Sequence, residues 1–224
     1  MYDVIVVGGG GAGMCAALSA RENGARVLVL ERAPRDKRGG NTAFASGTFR
    51  MVHHGAGDIR KVVPDLTDQE VANTDFGEYT AEQYFDDLGR ITQYQSDPEL
   101  ADVLIHQSAD TVDWLHKLGV RFLPNYGRQA FKIDGRFKFF GGSVIYANGG
   151  GEGLMEAHFK NAERLGIDVR YGARAVALLR GANGVEGVRA EINGVSADFP
   201  SQAVVLASSC SVRSGTTLRI SLAP

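Results

Sequence analysis

The segment 4–33, VIVVGGGGAGMCAALSARENGARVLVLERA, restricts the fold more than any other part of the chain. Residues 4–7 are a run of valine and isoleucine, which is typical of a strand buried on both faces of a parallel sheet. An alanine-rich stretch after the glycine turn predicts a helix that Gly24 ends. Residues 26–30 predict a second buried strand. The segment therefore predicts a βαβ unit.

The glycine turn has the spacing G-x-G-x-x-G at Gly8, Gly10 and Gly13. The first glycine allows a tight turn, the second lets the backbone approach a pyrophosphate, and the third permits close packing of helix on strand. The helix N-terminus offers unpaired N–H groups to negative charge. Glu31 lies about 20 residues further on, where a carboxylate can accept ribose hydroxyls and repel a 2′-phosphate. The unit is predicted to bind FAD or NAD rather than NADP; a purely structural βαβ unit is the alternative.

The charge balance argues against a nucleic-acid partner. The chain of 224 residues has 24 Lys and Arg residues against 26 Asp and Glu residues, so it offers no electrostatic footprint for a phosphate backbone. Cys15 and Cys210 fit no metal-ligand or redox spacing, which indicates a reducing compartment. No secretory signal is recognisable, since Asp3 stands where a basic region is required. We expect a cytoplasmic protein with a small-molecule ligand.

A loop rich in glycine and small polar residues, RGGNTAFASGT (38–48), follows the second strand. An NAD-binding unit would normally continue from this strand into another helix. The two glycines leave room for a flat or charged ligand, and Asn41 and Thr42 supply side-chain donors and acceptors. The same composition is also typical of a surface turn, and the residues alone leave both interpretations open.

The combination of GGGGAG, the pair Glu31-Arg32 and GGNT followed by small residues resembles the flavoprotein subunit of the fumarate reductase and succinate dehydrogenase family. The resemblance implies FAD, with its pyrophosphate on the first loop, its ribose on the acid and the GGNT loop beside pyrophosphate and flavin. Members with covalent flavin have a histidine where this chain has Asn41, so the FAD is expected to be noncovalent. The cofactor-binding residues implied by the resemblance are Gly8, Gly10, Ala12, Gly13, Glu31, Arg32, Gly40, Asn41, Thr42, Ser46, Gly47, Arg174 and Ala175.

Residues 49–148 are predicted to form a mostly helical insertion before the sheet resumes. Segments 80–94 and 98–118 predict helices, the second with Asp97 as its N-cap and Gly119 at its end. Its apolar residues recur at three- and four-residue intervals, which predicts one buried face. They are Leu100, Val103, Leu104, Val112, Leu115 and Leu118.

Two further residue types in the insertion could bind a ligand, but a structural role is preferred for each. Trp114 lies on or near the apolar helix face and is predicted to be a core residue rather than a stacking surface. His53 and His54 could contact a metal or a substrate. Adjacent side chains in an extended segment diverge, and no partner spacing is visible, so a structural or solvated role is predicted for the pair.

Two stretches narrow the resemblance: DFGEYTAEQYFDDLGRITQYQSDPELADVLIHQSADTVDWL and YGRQAFKIDGRFKFFGG. Together they resemble the tricarballylate dehydrogenase branch, which uses FAD to oxidise a saturated tricarboxylate to its alkene, and the flavin portion of certain precorrin-3B synthases. The second stretch carries Arg128, Lys132, Arg136 and Lys138 among aromatic residues, a suitable environment for a polycarboxylate. An exposed basic hairpin that turns at its Asp-Gly pair explains the same residues equally well.

The remaining pattern returns to alternating helix and strand. Residues 149–165 predict a helix and 167–170 a third parallel strand. Three segments separated by GANG and NG turns predict an antiparallel meander, and a last buried strand is predicted to rejoin the parallel sheet. These segments are 173–179, 185–192, 195–199 and 203–207. In the family, the residues that enter the meander contact the adenine side of FAD through the backbone, and Arg174 and Ala175 take that position here.

The predicted fold is therefore α/β, a Rossmann-like FAD-binding domain with a parallel sheet, a β-meander and a helical insertion. The family pattern stops near Ala207, and the tail 208–224, SSCSVRSGTTLRISLAP, has no amphipathic period. We expect an incomplete domain, 1–207, that lacks the family's capping domain, and we hypothesise an alteration such as a frameshift near Ser208. The resemblance places the catalytic residues in the missing part, so no catalytic residue is predicted.

Two functional classes remain open. In the first, the protein is a FAD-dependent dehydrogenase of a small polycarboxylate, in which hydride passes to the flavin and the electrons leave to a membrane-associated acceptor. A precorrin-3B synthase-like flavoprotein is the runner-up within this class. In the second, the chain is a noncatalytic fragment that binds FAD or another dinucleotide.

Overall fold

The computed structural model describes residues 1–182 and 184–208 and the backbone of residues 221–222. It divides into two compact units, the first formed by Met1–Phe44 with Met155–Pro224 and the second by Ala45–Leu154. The segment predicted as an insertion, 49–148, falls within the second unit. The tail predicted to be atypical, 208–224, lies outside the described residues apart from Ser208 and the backbone of 221–222.

The described residues contain both α-helices and β-strands. The α-helices, in chain order, are α1 (Gly11–Glu22), α2 (Ala56–Val62), α3 (Asp68–Ala72), α4 (Ala81–Thr92), α5 (Pro98–His106), α6 (Ser108–Lys117), α7 (Tyr126–Gln129) and α8 (Gly150–Arg164). The strands are β1 (Tyr2–Val7), β2 (Val27–Leu30), β3 (Thr48–Phe49), β4 (Thr74–Asp75), β5 (Phe122–Pro124), β6 (Ala130–Ile133), β7 (Arg136–Phe139), β8 (Ile145–Ala147), β9 (Asp168–Arg170), β10 (Ala173–Gly181), β11 (Gly184–Ile192), β12 (Val195–Leu206) and β13 (Ser221–Leu222). Short 3₁₀ turns span Arg35–Lys37 and Gly40–Phe44.

The first unit is built on a sheet with the strand order β13-β10-β11-β12-β1-β2-β9. Its part β12-β1-β2-β9 is parallel. The predicted valine-rich strands occupy the centre, where Ile5, Val6 and Leu28 are fully buried, because a parallel strand covered on both faces takes apolar residues at consecutive positions. Helix α1 packs against β1 and β2. The predicted α/β fold with a parallel sheet is confirmed.

Strand β12 connects the meander to the parallel sheet as one strand where the sequence predicts two. Its first half pairs antiparallel with β11, and its second half, from Ser201, pairs parallel with β1. The prediction that a strand at 203–207 rejoins the parallel sheet is confirmed, but its predicted burial is wrong, since Ala203 is exposed and Leu206 is 52% exposed. The physical reason is that strand pairing covers only the edges of β12, whereas burial of a side chain also requires packing over the face of the sheet.

Two tight turns form where the sequence predicts them. Asn193 and Gly194 join β11 to β12 with φ of 51° and 78°, and Asp134 and Gly135 join β6 to β7 with φ of 49° and 83°. Positive φ at both central residues is the requirement of a type I′ hairpin turn, which Asn-Gly and Asp-Gly pairs meet at little steric cost. The meander and the basic hairpin are therefore both present.

The second unit combines helices α2 to α7 with two small sheets. One has the strand order β3-β8-β5 and the other β4-β7-β6. Its core includes Met51, Ile59, Phe122 and Ile145, each at most 2% exposed. Phe49 packs edge-on against Phe122 with 5.2 Å between ring centroids, so the apolar residues of β3 and β5 meet inside this unit.

The single helix predicted at 98–118 is wrong, because the segment forms α5 and α6 with a break at Gln107 (φ -95°, ψ 4°). Asp97 is the N-cap as predicted and accepts hydrogen bonds from the N–H groups of residues 99 and 100. The break changes the buried face. Helix α5 buries Ala101 and Ile105, one turn apart, whereas the predicted core residues Leu100, Val103 and Leu104 are 70%, 53% and 51% exposed.

The two histidines of the insertion differ in environment. His53 is fully buried, its backbone forms a two-way bridge to Tyr79, and burial lowers the pKa of its side chain. His54 is exposed. Among the described residues, no group of three or more His, Cys, Asp or Glu side chains could hold a metal ion. Trp114 is half-buried, so its predicted core position is confirmed only in part.

Candidate dinucleotide-binding site

The turn between β1 and α1 is possible only because Gly8 and Gly13 lack side chains. Gly8 has a φ of +106°, and a Cβ atom on it would lie 2.9 Å from the carbonyl oxygen of Ala207. A Cβ on Gly13 would lie 1.9 Å from the carbonyl oxygen of Gly8. These contacts confirm the backbone roles predicted for the two glycines, a tight turn and the close approach of helix to strand.

The N-terminus of α1 is open to an anionic ligand. Its N-cap, Gly10, has no side chain to cap the first turn, and no acidic side chain is present in the described first turn, Gly11–Met14. The first intrahelical bond runs from the Met14 N–H to the Gly10 carbonyl oxygen. The N–H groups that precede Met14 in the helix therefore have no intrahelical acceptor, which is the arrangement that binds phosphate groups. Ala12, in this turn, is exposed.

Glu31 is held beside this turn at the end of β2. It is 9% exposed, its Oε2 accepts a hydrogen bond of 2.6 Å from the Gly9 N–H, and its Oε1 accepts one of 2.7 Å from the Ala33 N–H. Each oxygen of a carboxylate can accept more than one hydrogen bond. The carboxylate is therefore fixed in place by the backbone and retains acceptor capacity for hydroxyl groups.

The loop predicted to run beside the pyrophosphate lies against the glycine turn. The Gly11 N–H donates to Thr42 Oγ1 at 3.1 Å. A Cβ on Gly40 would lie 3.7 Å from the Cα of Gly10, an ordinary contact distance. The structure thus brings Gly40 and Thr42 to the start of α1. Arg32 and Asn41, by contrast, are exposed, and their assignment to the cofactor rests on the resemblance alone.

Ser46 and Gly47 lie in the second unit. Gly47 has a φ of +71°, and a Cβ on it would lie 2.6 Å from the carbonyl carbon of Gly150. Its carbonyl oxygen accepts a hydrogen bond from the Ala147 N–H at 2.8 Å. Ser46 is exposed and donates from Oγ to Thr48 Oγ1 at 3.2 Å. The geometry explains why residue 47 is a glycine, while the cofactor role of both residues stays a prediction.

Arg174 and Ala175 enter the meander next to the Glu31 strand end. The Ala173 N–H donates to the Glu31 carbonyl oxygen at 2.9 Å, which ties the start of β10 to the end of β2. Ala175 is buried, and the exposed Arg174 forms an ion pair with Glu191 at 2.6 Å. The backbone of these residues is thus placed near Glu31, whereas the Arg174 guanidinium already has a carboxylate partner.

Cys15 and His158 are adjacent in the first unit but do not form a nucleophilic pair. Cys15 Sγ lies 3.8 Å from His158 Nε2. Burial raises the pKa of Cys15 to about 11 and lowers the pKa of His158 to about 4. Both groups are therefore neutral at neutral pH, whereas nucleophilic cysteine chemistry requires a thiolate.

A cleft in the second unit was not predicted from the sequence. It has a volume of about 440 Å³ and is lined in part by Thr48, Asn125, Tyr126, Arg128 and Tyr146. The pairing of β5 with β8 places Leu123 opposite Tyr146 and Pro124 opposite Ile145. The sequence indicated Arg128 as a candidate ligand-binding residue because it lies in the basic stretch 126–142. Other residues that line the cleft, such as Thr48 and Tyr146, are distant from it in sequence, and no motif links them to it.

Within the segments that the structure describes, no helix combines the length and the apolar character needed to cross a membrane.

Comparison with known proteins identifies the family. A family model described as FAD binding domain matches residues 3–213. Fumarate reductase (cytochrome) from Shewanella frigidimarina is 30% identical over 189 residues, which are 83% of this chain and 29% of that protein. Urocanate reductase from Eggerthella lenta is 31% identical over 215 residues, 92% of this chain and 31% of that protein. The chain therefore spans less than a third of the length of these two relatives.

Solved structures agree with this result. The open conformation of a flavocytochrome c3 fumarate reductase has a TM-score of 0.68 at 26% identity, over 92% of this chain and 33% of that chain. The 3-ketosteroid-Δ4-(5α)-dehydrogenase from Rhodococcus jostii RHA1 has a TM-score of 0.69 at 24% identity, over 92% of this chain and 45% of that chain, and it supports the fold alone. The chain belongs to the family of FAD-binding domains that fumarate reductases and related FAD-dependent oxidoreductases contain.

Proposed function

We propose that the chain is the FAD-binding part of an oxidoreductase that acts on a small polycarboxylate. One observation carries the cofactor assignment: a helix N-terminus whose N-cap, Gly10, has no side chain lies beside Glu31, a buried carboxylate held by backbone N–H groups. The N–H groups of the helix N-terminus are suited to a pyrophosphate, and the Glu31 carboxylate is suited to ribose hydroxyls. FAD, when bound, supplies a hydride acceptor.

The residues at this site fit a dinucleotide in both charge and space. The first turn of α1 has partial positive charge, with no described acidic side chain in it to repel phosphate. A Cβ on Gly10 would make only an ordinary van der Waals contact, 3.7 Å from the Gly39 carbonyl oxygen. In the proposed arrangement Gly8, Gly10, Ala12 and Gly13 hold the pyrophosphate, and the backbone of Arg174 and Ala175 lies on the adenine side.

We propose that the FAD is noncovalent because Asn41 occupies the position of the histidine found in relatives with covalent flavin. A carboxamide is not a nucleophile, so Asn41 can contribute hydrogen bonds only. The finer assignment is oxidation of a tricarballylate-like acid to its alkene in the cytoplasm, with electrons passed to a membrane-associated acceptor. It rests on the resemblance of residues 75–115 and 126–142 to the tricarballylate dehydrogenase branch. The substrates that appear in the names of the relatives, such as fumarate and urocanate, are properties of those proteins and are not assigned to this chain.

The visible absorption spectrum of the purified chain tests the cofactor assignment. We expect flavin bands that move into the supernatant after heat denaturation, because noncovalent FAD is released when the protein unfolds. A colourless protein that takes up no added FAD would overturn the proposal. Bands that stay with the precipitate would show covalent attachment and refute the role given to Asn41.

Two variants locate the bound FAD. Glu31→Gln replaces one carboxylate oxygen by an NH₂ group that cannot accept from the Gly9 or Ala33 N–H, so we expect FAD affinity to fall by about tenfold or more. Glu156→Gln, on the exposed side of α8, is the matched control and is expected to bind FAD like the parent. Quenching of FAD fluorescence measures both, and equal affinities would refute the ribose role of Glu31.

Turnover tests the catalytic class. Reduction of an artificial electron acceptor with tricarballylate as donor is expected if the chain contains enough of the enzyme to act. A chain that retains FAD but shows no turnover with this acid would support the noncatalytic, FAD-binding alternative.

A further inference from the structure

The cleft in the second unit has the size and the polarity of a site for a small anion. Its volume of about 440 Å³ lies within the range of about 300–1,000 Å³ that is usual for small-molecule sites. Arg128 supplies a positive charge at its wall, and no Asp or Glu is present among the described residues that line it. Pro124, Tyr126 and Tyr146 add carbon surface for the body of a ligand.

Thr48 is positioned to donate a hydrogen bond in this cleft. Its Oγ1 accepts from Ser46 Oγ at 3.2 Å and from Asn125 Nδ2 at 3.4 Å. Asn125 is 5% exposed, and the same amide group donates to the Ser143 carbonyl oxygen at 3.4 Å, so it is held in this orientation. A hydroxyl that accepts from two donors has its own hydrogen left for a further acceptor. No acceptor for the Thr48 hydroxyl hydrogen is present among the hydrogen bonds of the described residues.

Arg128 has a guanidinium that is not paired with a carboxylate among the described residues. Lys138 forms an ion pair with Asp75 at 3.7 Å, and Lys132 lies over the Phe137 ring. Within residues 1–182 and 184–208, no ion pair involves Arg128. A guanidinium is suited to a carboxylate because its N–H groups can donate two parallel bonds to it.

We propose that this cleft binds a carboxylate group of the substrate, with the Arg128 guanidinium as its charge partner and the Thr48 hydroxyl as a second donor. The inference rests on the proposed oxidation of a small polycarboxylate and names the residues of this chain that would recognise it. It makes Arg128 a substrate-binding residue in the Ala45–Leu154 unit, separate from the residues assigned to pyrophosphate and ribose.

Titration calorimetry of the full chain with tricarballylate tests the inference, in the presence and in the absence of added FAD. We expect Arg128→Gln to weaken binding about 10- to 100-fold, because a charge-assisted hydrogen-bonded pair is lost. Arg128→Lys is expected to restore part of the affinity. Lys132→Gln removes one positive charge from the same hairpin outside the cleft and is expected to bind within about twofold of the parent. Thr48→Val gives a second, smaller loss that does not depend on Arg128.

The outcomes separate this inference from the proposed cofactor role. Binding of tricarballylate that depends on Arg128 supports the carboxylate site even if the chain takes up no FAD. Uptake of FAD without any tricarballylate binding would overturn the inference and leave the FAD assignment intact. Equal losses for Arg128→Gln and Lys132→Gln would also overturn it, since general charge would then explain binding. If Arg128→Gln weakens FAD binding as much as tricarballylate binding, the cleft serves the cofactor and the inference is wrong.

Discussion

Gly13 is a position where one added carbon atom interferes with the contact between α1 and β1. A Cβ there would lie 1.9 Å from the Gly8 carbonyl oxygen, well inside van der Waals contact. We expect Gly13→Ala to lower the free energy of unfolding by about 1–3 kcal/mol, the usual cost of overpacking. Urea denaturation followed by circular dichroism measures the change.

Gly57→Ala is the matched control for this prediction. Gly57 lies in α2, and apart from its chain neighbours and the backbone of its own helix no described atom lies within 4 Å of an added Cβ. Alanine is favoured over glycine inside a helix, so this variant is expected to be unchanged or more stable by up to about 1 kcal/mol. A comparable destabilisation by both variants would contradict the steric explanation.

His158 makes the stability of the first unit dependent on pH. Burial lowers its pKa from 6.5 to about 4, so the unfolded chain binds a proton near pH 6.5 that the folded chain binds only near pH 4. The contribution is therefore fully present above about pH 6.5 and is lost as the pH falls toward 4. We expect a loss of about 2–3 kcal/mol from this group between about pH 7.5 and pH 4.5.

Urea denaturation over this pH range, compared between the parent and His158→Gln, isolates the contribution. The variant has no titrating group at this position, so its stability is expected to depend less steeply on pH. His54→Gln, at an exposed histidine, is the control and is expected to keep the slope of the parent. An equally steep profile in His158→Gln would show that other groups cause the acid destabilisation.

Helix α5 shows why an apolar repeat alone does not define the buried face of an element. The three- and four-residue spacing at Leu100, Val103 and Leu104 is that of an amphipathic helix, yet the structure buries Ala101 and Ile105 instead. The spacing correctly predicts helix. Which face is covered depends on the neighbours of α5 and on the break at Gln107, neither of which the local pattern contains.

Truncation of adjacent residues in α5 distinguishes the two faces. Ile105 is fully buried, so we expect Ile105→Ala to lower the free energy of unfolding by about 2–5 kcal/mol through lost burial and a cavity. Leu104 is 51% exposed, and Leu104→Ala is expected to cost no more than about 0.5 kcal/mol. Urea denaturation compares them, and a larger effect at Leu104 would indicate the face predicted from the repeat.

The cofactor specificity of the whole chain can be measured through its stability, because a ligand that binds only the folded state raises the free energy of unfolding. At a concentration of about 100 times its Kd, a ligand adds about 2.7 kcal/mol to the free energy of unfolding. We expect FAD to raise the thermal midpoint, and NADP⁺ to leave it unchanged because Glu31 repels a 2′-phosphate. Differential scanning fluorimetry with each ligand measures this. An equal rise with NADP⁺ would contradict the discrimination assigned to Glu31.

Local sequence was sufficient for the βαβ unit, the two I′ turns and the glycine positions of the first loop. Each depends on residues close together in the chain: consecutive apolar residues for a doubly covered strand, Asn-Gly or Asp-Gly for positive φ, and a glycine where backbones touch. The approach of Thr42 to Gly11, the single strand β12 and the exposed face of α5 followed only from tertiary structure. The same holds for the cleft around Arg128, where residues far apart in sequence meet through strand pairing, and such pairing depends on long-range packing that no local pattern encodes.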